Sequence, residues 1–256
     1  MRTLTLKLTA PLQSYGDIAN FEHRPTNYFP TKSAIVGMLA NALGYEREDR
    51  RIRELSQKLS MAVRMEQLGT TLRDLQNVMW DRKKGKLKQT YRDYLQDGVF
   101  MVALGVDDNN EKVIDELVDA LRYPCRQLFL GRRACTLAGP LEMKIFENQS
   151  PVDVLNTLPW QAAPWYQAQN ENGSKKLAMI AEAKLLPNHG TKMIKDNVFN
   201  LDSNNRQYRY RKIAVTKIET EASYEVNPTT GAVETTHDPF VALASDETEH
   251  NPFDLL

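Results

Sequence analysis

Apolar and polar positions along this chain first alternate, then fall into a helical period. Residues 2–9 alternate as a half-buried strand does. Ala34, Ile35, Met38, Leu39, Ala42 and Leu43 recur at helical spacing and predict a helix over 31–43. Thr31 suits its N-cap, and Gly44 falls where a left-handed C-terminal residue is wanted. A second helical segment with a charged outer face is expected over 48–59, and a strand over 61–66 with 71–78 as its partner. Val99–Val106 is an unbroken apolar run of the kind found in strands buried on both faces. Residues 107–110 read as a turn, and Val113, Ile114, Leu117, Val118 and Leu121 mark an amphipathic helix. Alternation over 141–145 gives a further strand.

The resulting order, β-α-β-β-α-β, predicts an α+β, ferredoxin-like (RRM-like) domain over 1–146. A smaller β-rich C-terminal region is expected over 147–226: a loop or linker at 160–174, alternating positions at 177–186, a polar stretch at 200–207 and a last strand at 213–218. Residues 227–256 read as an acidic, mobile tail, with 239–243 as its candidate docking patch.

The formal net charge of zero conceals a division. All 33 Lys and Arg residues lie at or before Lys217, and nine of the 33 acidic residues follow it. The body therefore has 33 basic against 24 acidic side chains, an excess of nine, which points to a polyanionic partner. Cys125 and Cys135 are too few for a disulfide scaffold and match no zinc spacing, so a reduced, cytoplasmic protein is expected. The opening residues read as a strand, so no signal peptide is expected, and no apolar run approaches the ~18–20 residues of a membrane helix.

The densest basic run holds Arg82, Lys83, Lys84, Lys86, Lys88 and Arg92, with Lys84-Gly85 as a turn. A protruding basic β-hairpin near 78–95 is expected, its charges suited to phosphates and Trp80, Tyr91 and Tyr94 suited to stacking on bases. A solvated basic loop is the alternative. Lys32 and Ser33, at the start of the first long helix, suit a phosphate at free N–H groups. They are no Walker A loop, because residues 26–29 contain no glycine for a phosphate cradle. Arg132 and Arg133 follow Gly131, where the backbone can approach closely and paired guanidiniums can clamp phosphates. Arg206, Tyr208 and Arg209 belong to an interleaved basic–aromatic stretch, which reads equally as an RNA-facing strand or as an edge strand protected by charge.

Three blocks together resemble a known family: PLQSYG at 11–16, FEHRPTNYFPTKSAIVGMLANALG at 21–44, and FLGRR at 129–133. The chain is similar to the CasD subunits of type I-E CRISPR Cascade, members of the RAMP superfamily and of CRISPR-associated protein family five. Tyr15 stands where that family often has tryptophan. The resemblance implies a non-catalytic subunit without cofactor or metal that grips the 5′ handle of the guide RNA and caps a filament of Cascade backbone subunits. The Cascade large subunit docks nearby, and target DNA is met only through the complex. No membrane is involved. Arg24, Lys32, Ser33, the 82–92 run, Arg132, Arg133 and the 206–209 stretch are the expected RNA contacts, with the hairpin also reaching the adjacent backbone subunit. Replacing Arg132 and Arg133 together is expected to abolish assembly while leaving the subunit folded.

Two other readings stay open. Relatives that cut repeat RNA use metal-independent acid–base chemistry, and His23, beside Arg24, is the best single candidate for such an endoribonuclease. His189 reads as a turn residue, and His237 and His250 lie in the tail. A generic ferredoxin-like scaffold that binds only protein is the third reading.

Overall fold

A computed structural model describes residues 1–16, 19–81, 83–169, 174–202, 205–221, 224–226 and 233–235. Arg82, the 239–243 patch, His237 and His250 lie outside the described residues. The chain runs β1 (Arg2–Thr9), β2 (Leu12–Gln13), β3 (Tyr15–Gly16), β4 (His23–Arg24), β5 (Thr26–Asn27), α1 (Lys32–Ala42), α2 (Arg50–Lys58), β6 (Ser60–Gln67), β7 (Thr70–Asp81), β8 (Lys86–Gln96) and β9 (Val99–Val106). It continues through α3 (Lys112–Arg122), β10 (Glu142–Phe146), α4 (Pro151–Thr157), α5 (Pro164–Ala168), β11 (Ser174–Glu182), β12 (Thr191–Asn200), β13 (Gln207–Glu221), β14 (Tyr224–Val226) and β15 (Val233–Thr235).

Seven strands form one antiparallel sheet in the order β10-β1-β9-β6-β11-β13-β12. β9 is an inner strand, between β1 and β6, and its period of two explains why its sequence is apolar throughout. Phe100, Val102, Leu104 and Val106 pack with α1 and α3 in the larger core. Met101 and Ala103 face the opposite way and pack with Val152 and Leu155 of α4. The first four strands of the order come from residues 1–146. β11, β13 and β12 join the same sheet through β11, which pairs with β6 at Ala62–Arg64, while β14 pairs with β15 apart from it. Apolar residues on both faces of β11, such as Met179 and Ile180, are buried as the β-rich C-terminal region extends this sheet.

β7 differs from its expected pairing. It runs antiparallel to β8, from Thr70 opposite Gln96 to Asp81 opposite Lys86, while β6 takes β9 and β11 as neighbours. The apolar character of 71–78 suggested a place in the main sheet, yet Leu75, Val78 and Met79 are exposed on the hairpin. β12, unrecognised in the sequence, is the outermost strand of the described sheet. It encloses β13, so the basic–aromatic stretch at 206–212 is not an edge strand. The expected loop at 160–174 contains α5 and the fully buried Trp160.

Arg64 fastens the far face of the sheet. It is wholly buried and ion-paired with Glu66, Nε to Oε1 at 2.5 Å. Its guanidinium also donates to the carbonyls of Leu155, Leu158 and Pro159 at 2.5–2.7 Å. These carbonyls end α4 and would otherwise lack partners. Burial raises the Glu66 carboxyl above its ordinary pKa, against the opposing effect of Arg64.

Candidate nucleic-acid interface

The three sequence blocks meet along β8. One edge of β8 carries β7; the other carries β2, through Gln13 opposite Leu95, and β4, in parallel register with His23 opposite Tyr91 and Arg24 opposite Arg92. The loop after α3 closes on this seam. Ser14 N–H donates to the Leu130 carbonyl at 3.1 Å. Gly131, at φ 90°, lies directly against the Ser14 carbonyl.

Arg132 is a strut of this seam. It donates to the Asp93 carbonyl at 3.1 Å and the Arg24 carbonyl at 2.9 Å, and its guanidinium lies 4.6 Å from the centre of the Tyr94 ring. The residue expected to clamp a phosphate is thus committed to backbone acceptors. Tyr94 is buried beneath it rather than free to stack on a base. Arg133, one position on, is exposed.

Asp93 organises the base of the hairpin. Its carboxylate accepts from Arg73 Nε at 2.8 Å and meets His23 Nε2 at 2.7 Å. The hydrogen bond from Arg73, aided by His23, holds the carboxyl below its usual pKa although burial opposes this. His23, the candidate for acid–base chemistry, therefore has one ring nitrogen engaged in this network.

Two arginines beside it face a different situation. Arg24 and Arg92 occupy paired positions on neighbouring parallel strands, so their side chains leave the same face. Arg92 Nε is buried with no hydrogen-bond partner among the described residues. Asp74, opposite Arg92 on β7, instead accepts from Gln76 at 2.7 Å. Two adjacent cations with an unsatisfied donor between strands favour an anion there.

Toward the tip, Asp81 Oδ1 accepts from the N–H groups of Lys83 and Lys84 at 3.0 and 3.2 Å, fixing a tight turn. Lys83, Lys84 and Lys86 are exposed. Trp80 is 59% and Tyr91 38% exposed, enough for either ring to meet a base. Lys88 is paired with Glu22 at 2.9 Å and lies over Phe21.

Lys32 and Ser33 are not at this seam. Lys32 is 5% exposed; its ammonium pairs with Glu182 at 2.6 Å and donates to the Leu59 carbonyl at 2.7 Å. Burial lowers its pKa, with Glu182 opposing. Its N–H, the one expected to receive a phosphate, donates to Asp196 Oδ2 at 2.8 Å, and Asp196 is itself held by Arg211 at 2.6 Å. The chain's own carboxylate fills the anion position at the α1 start, and Thr31, expected to supply the cap, makes no capping hydrogen bond. Ser33 Oγ is half-buried and lies 3.3 Å from the Thr31 hydroxyl.

Arg206, Tyr208 and Arg209 also lie away from the hairpin, by β12. Tyr208 packs with Val36, Ala40, Ile52 and Val198; Arg209 stacks 3.8 Å from the Phe199 ring centre; Arg206 is exposed. The Asp93 network and the Asp196 cap escaped sequence reading, because each joins residues distant in the chain that carry no motif of their own. Among the described residues no cluster of three His, Cys, Asp or Glu side chains is placed to hold a metal, and no helix is long and apolar enough to cross a membrane.

The fold is mixed α/β and mostly sheet, and it matches one class of protein. A family model described as CRISPR-associated protein (Cas_Cas5) matches residues 3–213. The chain belongs to this Cas5 family of CRISPR-associated proteins. It is 35% identical over 167 residues to the CRISPR system Cascade subunit CasD of Escherichia coli (strain K12), covering 59% of this chain and 75% of that protein. A chain of a solved CRISPR RNA-guided surveillance complex superposes with a TM-score of 0.68 at 25% identity, over 90% of this chain and 95% of that one. A solved Cas protein superposes at 0.58 with 26% identity, over 86% and 95% of the two chains.

Proposed function

We propose that this chain is a non-catalytic subunit of a type I-E CRISPR Cascade, one that binds the guide RNA at its 5′ handle and caps the filament of backbone subunits. Its framework is the ferredoxin-like unit β10-β1-β9-β6, whose spatial order 4-1-3-2 supports that reading. The similarity to CasD and to a chain of a surveillance complex supports the assembly. The observation that carries RNA binding is the pair Arg24 and Arg92, adjacent in register with Arg92 Nε buried and unsatisfied at the hairpin base. A phosphate there supplies acceptors to both guanidiniums. Arg133, Lys83, Lys84, Lys86 and Tyr91 extend the surface toward the tip, and the apolar residues exposed on the hairpin suit the neighbouring backbone subunit. Guide pairing, not this chain, then reads the target DNA. The setting is the cytoplasm.

The similarity to CasD supports holding rather than cutting. The test is to co-express the tagged chain with its genomic neighbours and a CRISPR array, then sequence the RNA that co-purifies. A uniform species with one repeat-derived 5′ end is expected, lost when Arg24→Ala and Arg92→Ala are combined. An intact complex devoid of RNA refutes RNA binding. Guide maturation persisting without the dedicated processing subunit, and stopped by His23→Ala, establishes the endoribonuclease instead.

A further inference from the structure

The opposite edge of the sheet carries a second polar–aromatic feature. A cleft of about 560 Å³ opens between the start of α2 and the end of β12, of a size suited to a nucleotide. Ile52 and Val198 form its floor and are buried in the small core beneath. Its wall holds Arg47, Arg50 and Arg53, all exposed and without an ion pair among the described residues. Asp49 also lines the cleft, but its carboxylate is occupied: it caps α2 through Arg51 N–H at 2.8 Å and pairs with the Arg51 guanidinium at 2.6 Å. Glu48 and Glu54 line it as well, and the three guanidiniums of the wall outnumber them.

Phe199 gives the cleft its character. The register between β12 and β13 passes from Val198 opposite Tyr208 to Asn200 opposite Gln207, which leaves Phe199 as the extra residue of a β-bulge. Such a bulge re-aims a side chain out of the alternating pattern. The ring lines the cleft and is met by two guanidiniums, Arg209 at 3.8 Å and Arg53 at 4.4 Å from its centre. Two cations gathered on one aromatic ring repel each other, and an anion beside them relieves that repulsion. The outer guanidinium face is also a platform on which an unpaired base stacks.

We propose that this cleft binds a single-stranded polynucleotide, with phosphates held by Arg47, Arg50 and Arg53 and a base stacked on the Phe199–Arg209 pair. The proposal stands apart from the hairpin-base reading, because it draws on the other edge of the sheet and on different residues. Phosphate and base are common to RNA and DNA, so the test separates the two sources.

The full chain is titrated by fluorescence anisotropy with labelled 15-mer oligouridine and, separately, oligothymidine at several salt concentrations. Arg50→Ala combined with Arg53→Ala is expected to weaken binding roughly tenfold or more, as two charge-assisted contacts are lost. The slope of log affinity against log salt is expected to become shallower by about 1.4. Phe199→Leu, which keeps apolar bulk in the bulge, is expected to weaken it about fivefold or more. Loss confined to oligouridine assigns the cleft to RNA, and loss confined to oligothymidine assigns it to DNA. Unchanged affinity and slope in variants that melt like the wild type overturn the proposal. So does an oligo-glutamate peptide whose binding is lost in the variants while that of both oligonucleotides is kept, since the cleft then receives protein. Arg24→Ala combined with Arg92→Ala, titrated alongside, keeps the two sites distinguishable: each pair of variants reports on its own surface.

Discussion

Gly131 lies so close to Ser14 that a Cβ placed on it would stand 1.6 Å from the Ser14 carbonyl oxygen. Neither partner can yield readily. Ser14 is pinned by its N–H donation to Leu130 and by its hydroxyl, 3.4 Å from the Asp93 carbonyl. Gly131 also has φ 90°, a conformation costly for any residue with a side chain. The contact joins two of the sequence blocks that identify the family. Gly131→Ala is therefore expected to destabilise the chain by about 3 kcal/mol or more, combining backbone clash with strain. Gly139→Ala, eight residues on, would meet nothing within 4 Å and is expected to change stability little. Urea denaturation midpoints of the two variants check this, and equal midpoints would refute the account.

Arg132 and Arg133 are expected to separate cleanly. Arg132→Ala leaves two backbone carbonyls short of a donor and uncovers Tyr94, which should cost about 2–3 kcal/mol. Arg133→Ala removes an exposed charge and should leave the melting temperature unchanged while weakening RNA binding. Thermal melts beside oligouridine titrations distinguish the pair. A stable Arg132→Ala protein with lost RNA binding would return that residue to the interface.

Much of this organisation was legible in the sequence. The continuous apolar run of β9 announced a strand buried on both faces, and the helical period of 34–43 announced α1, because burial on one or two faces writes itself into residue spacing. The turn at Lys84-Gly85 was likewise a local signal. What escaped was set by contacts between distant segments. Lys32 looked like a free cation at a helix start, since nothing near it in the chain reveals that Glu182 and Asp196 arrive from β11 and β12. Residues 71–78 looked like a strand of the main sheet, because alternation shows that a segment is extended without naming its partner. Phe199 gave no signal, since a bulge is a property of two strands in register.

Asp93 makes the hairpin base sensitive to acid. Its folded pKa lies below its ordinary value of 3.8 through Arg73 and then His23. The stabilisation is fully present above that ordinary value. Below it the unfolded chain binds the proton first, so stability falls as pH drops through the depressed folded pKa. Asp93→Asn lacks this dependence. The stability gap between wild type and Asp93→Asn, measured in urea at pH 5.0, 4.0 and 3.0, should be widest at pH 5.0 and narrow steadily. A gap that stays constant would mean that the carboxylate charge is not what holds the base together.

The Lys32–Glu182 pair should behave as a buried unit. Glu182→Ala leaves the Lys32 ammonium buried with only the Leu59 carbonyl, a change that typically costs about 3–5 kcal/mol. Lys32→Met combined with Glu182→Leu removes both charges while keeping similar volume, and replacement of that kind is often neutral or better. The double variant should therefore recover most of what the single one loses. Because Lys32 is walled in and its N–H is already taken by Asp196, the double variant should also bind oligouridine as the wild type does. A fold-neutral double variant that loses RNA would restore the phosphate role that the helix start first suggested. An unrecovered stability would instead show that the ion pair, not merely its volume, sets the seat of α1 on the sheet.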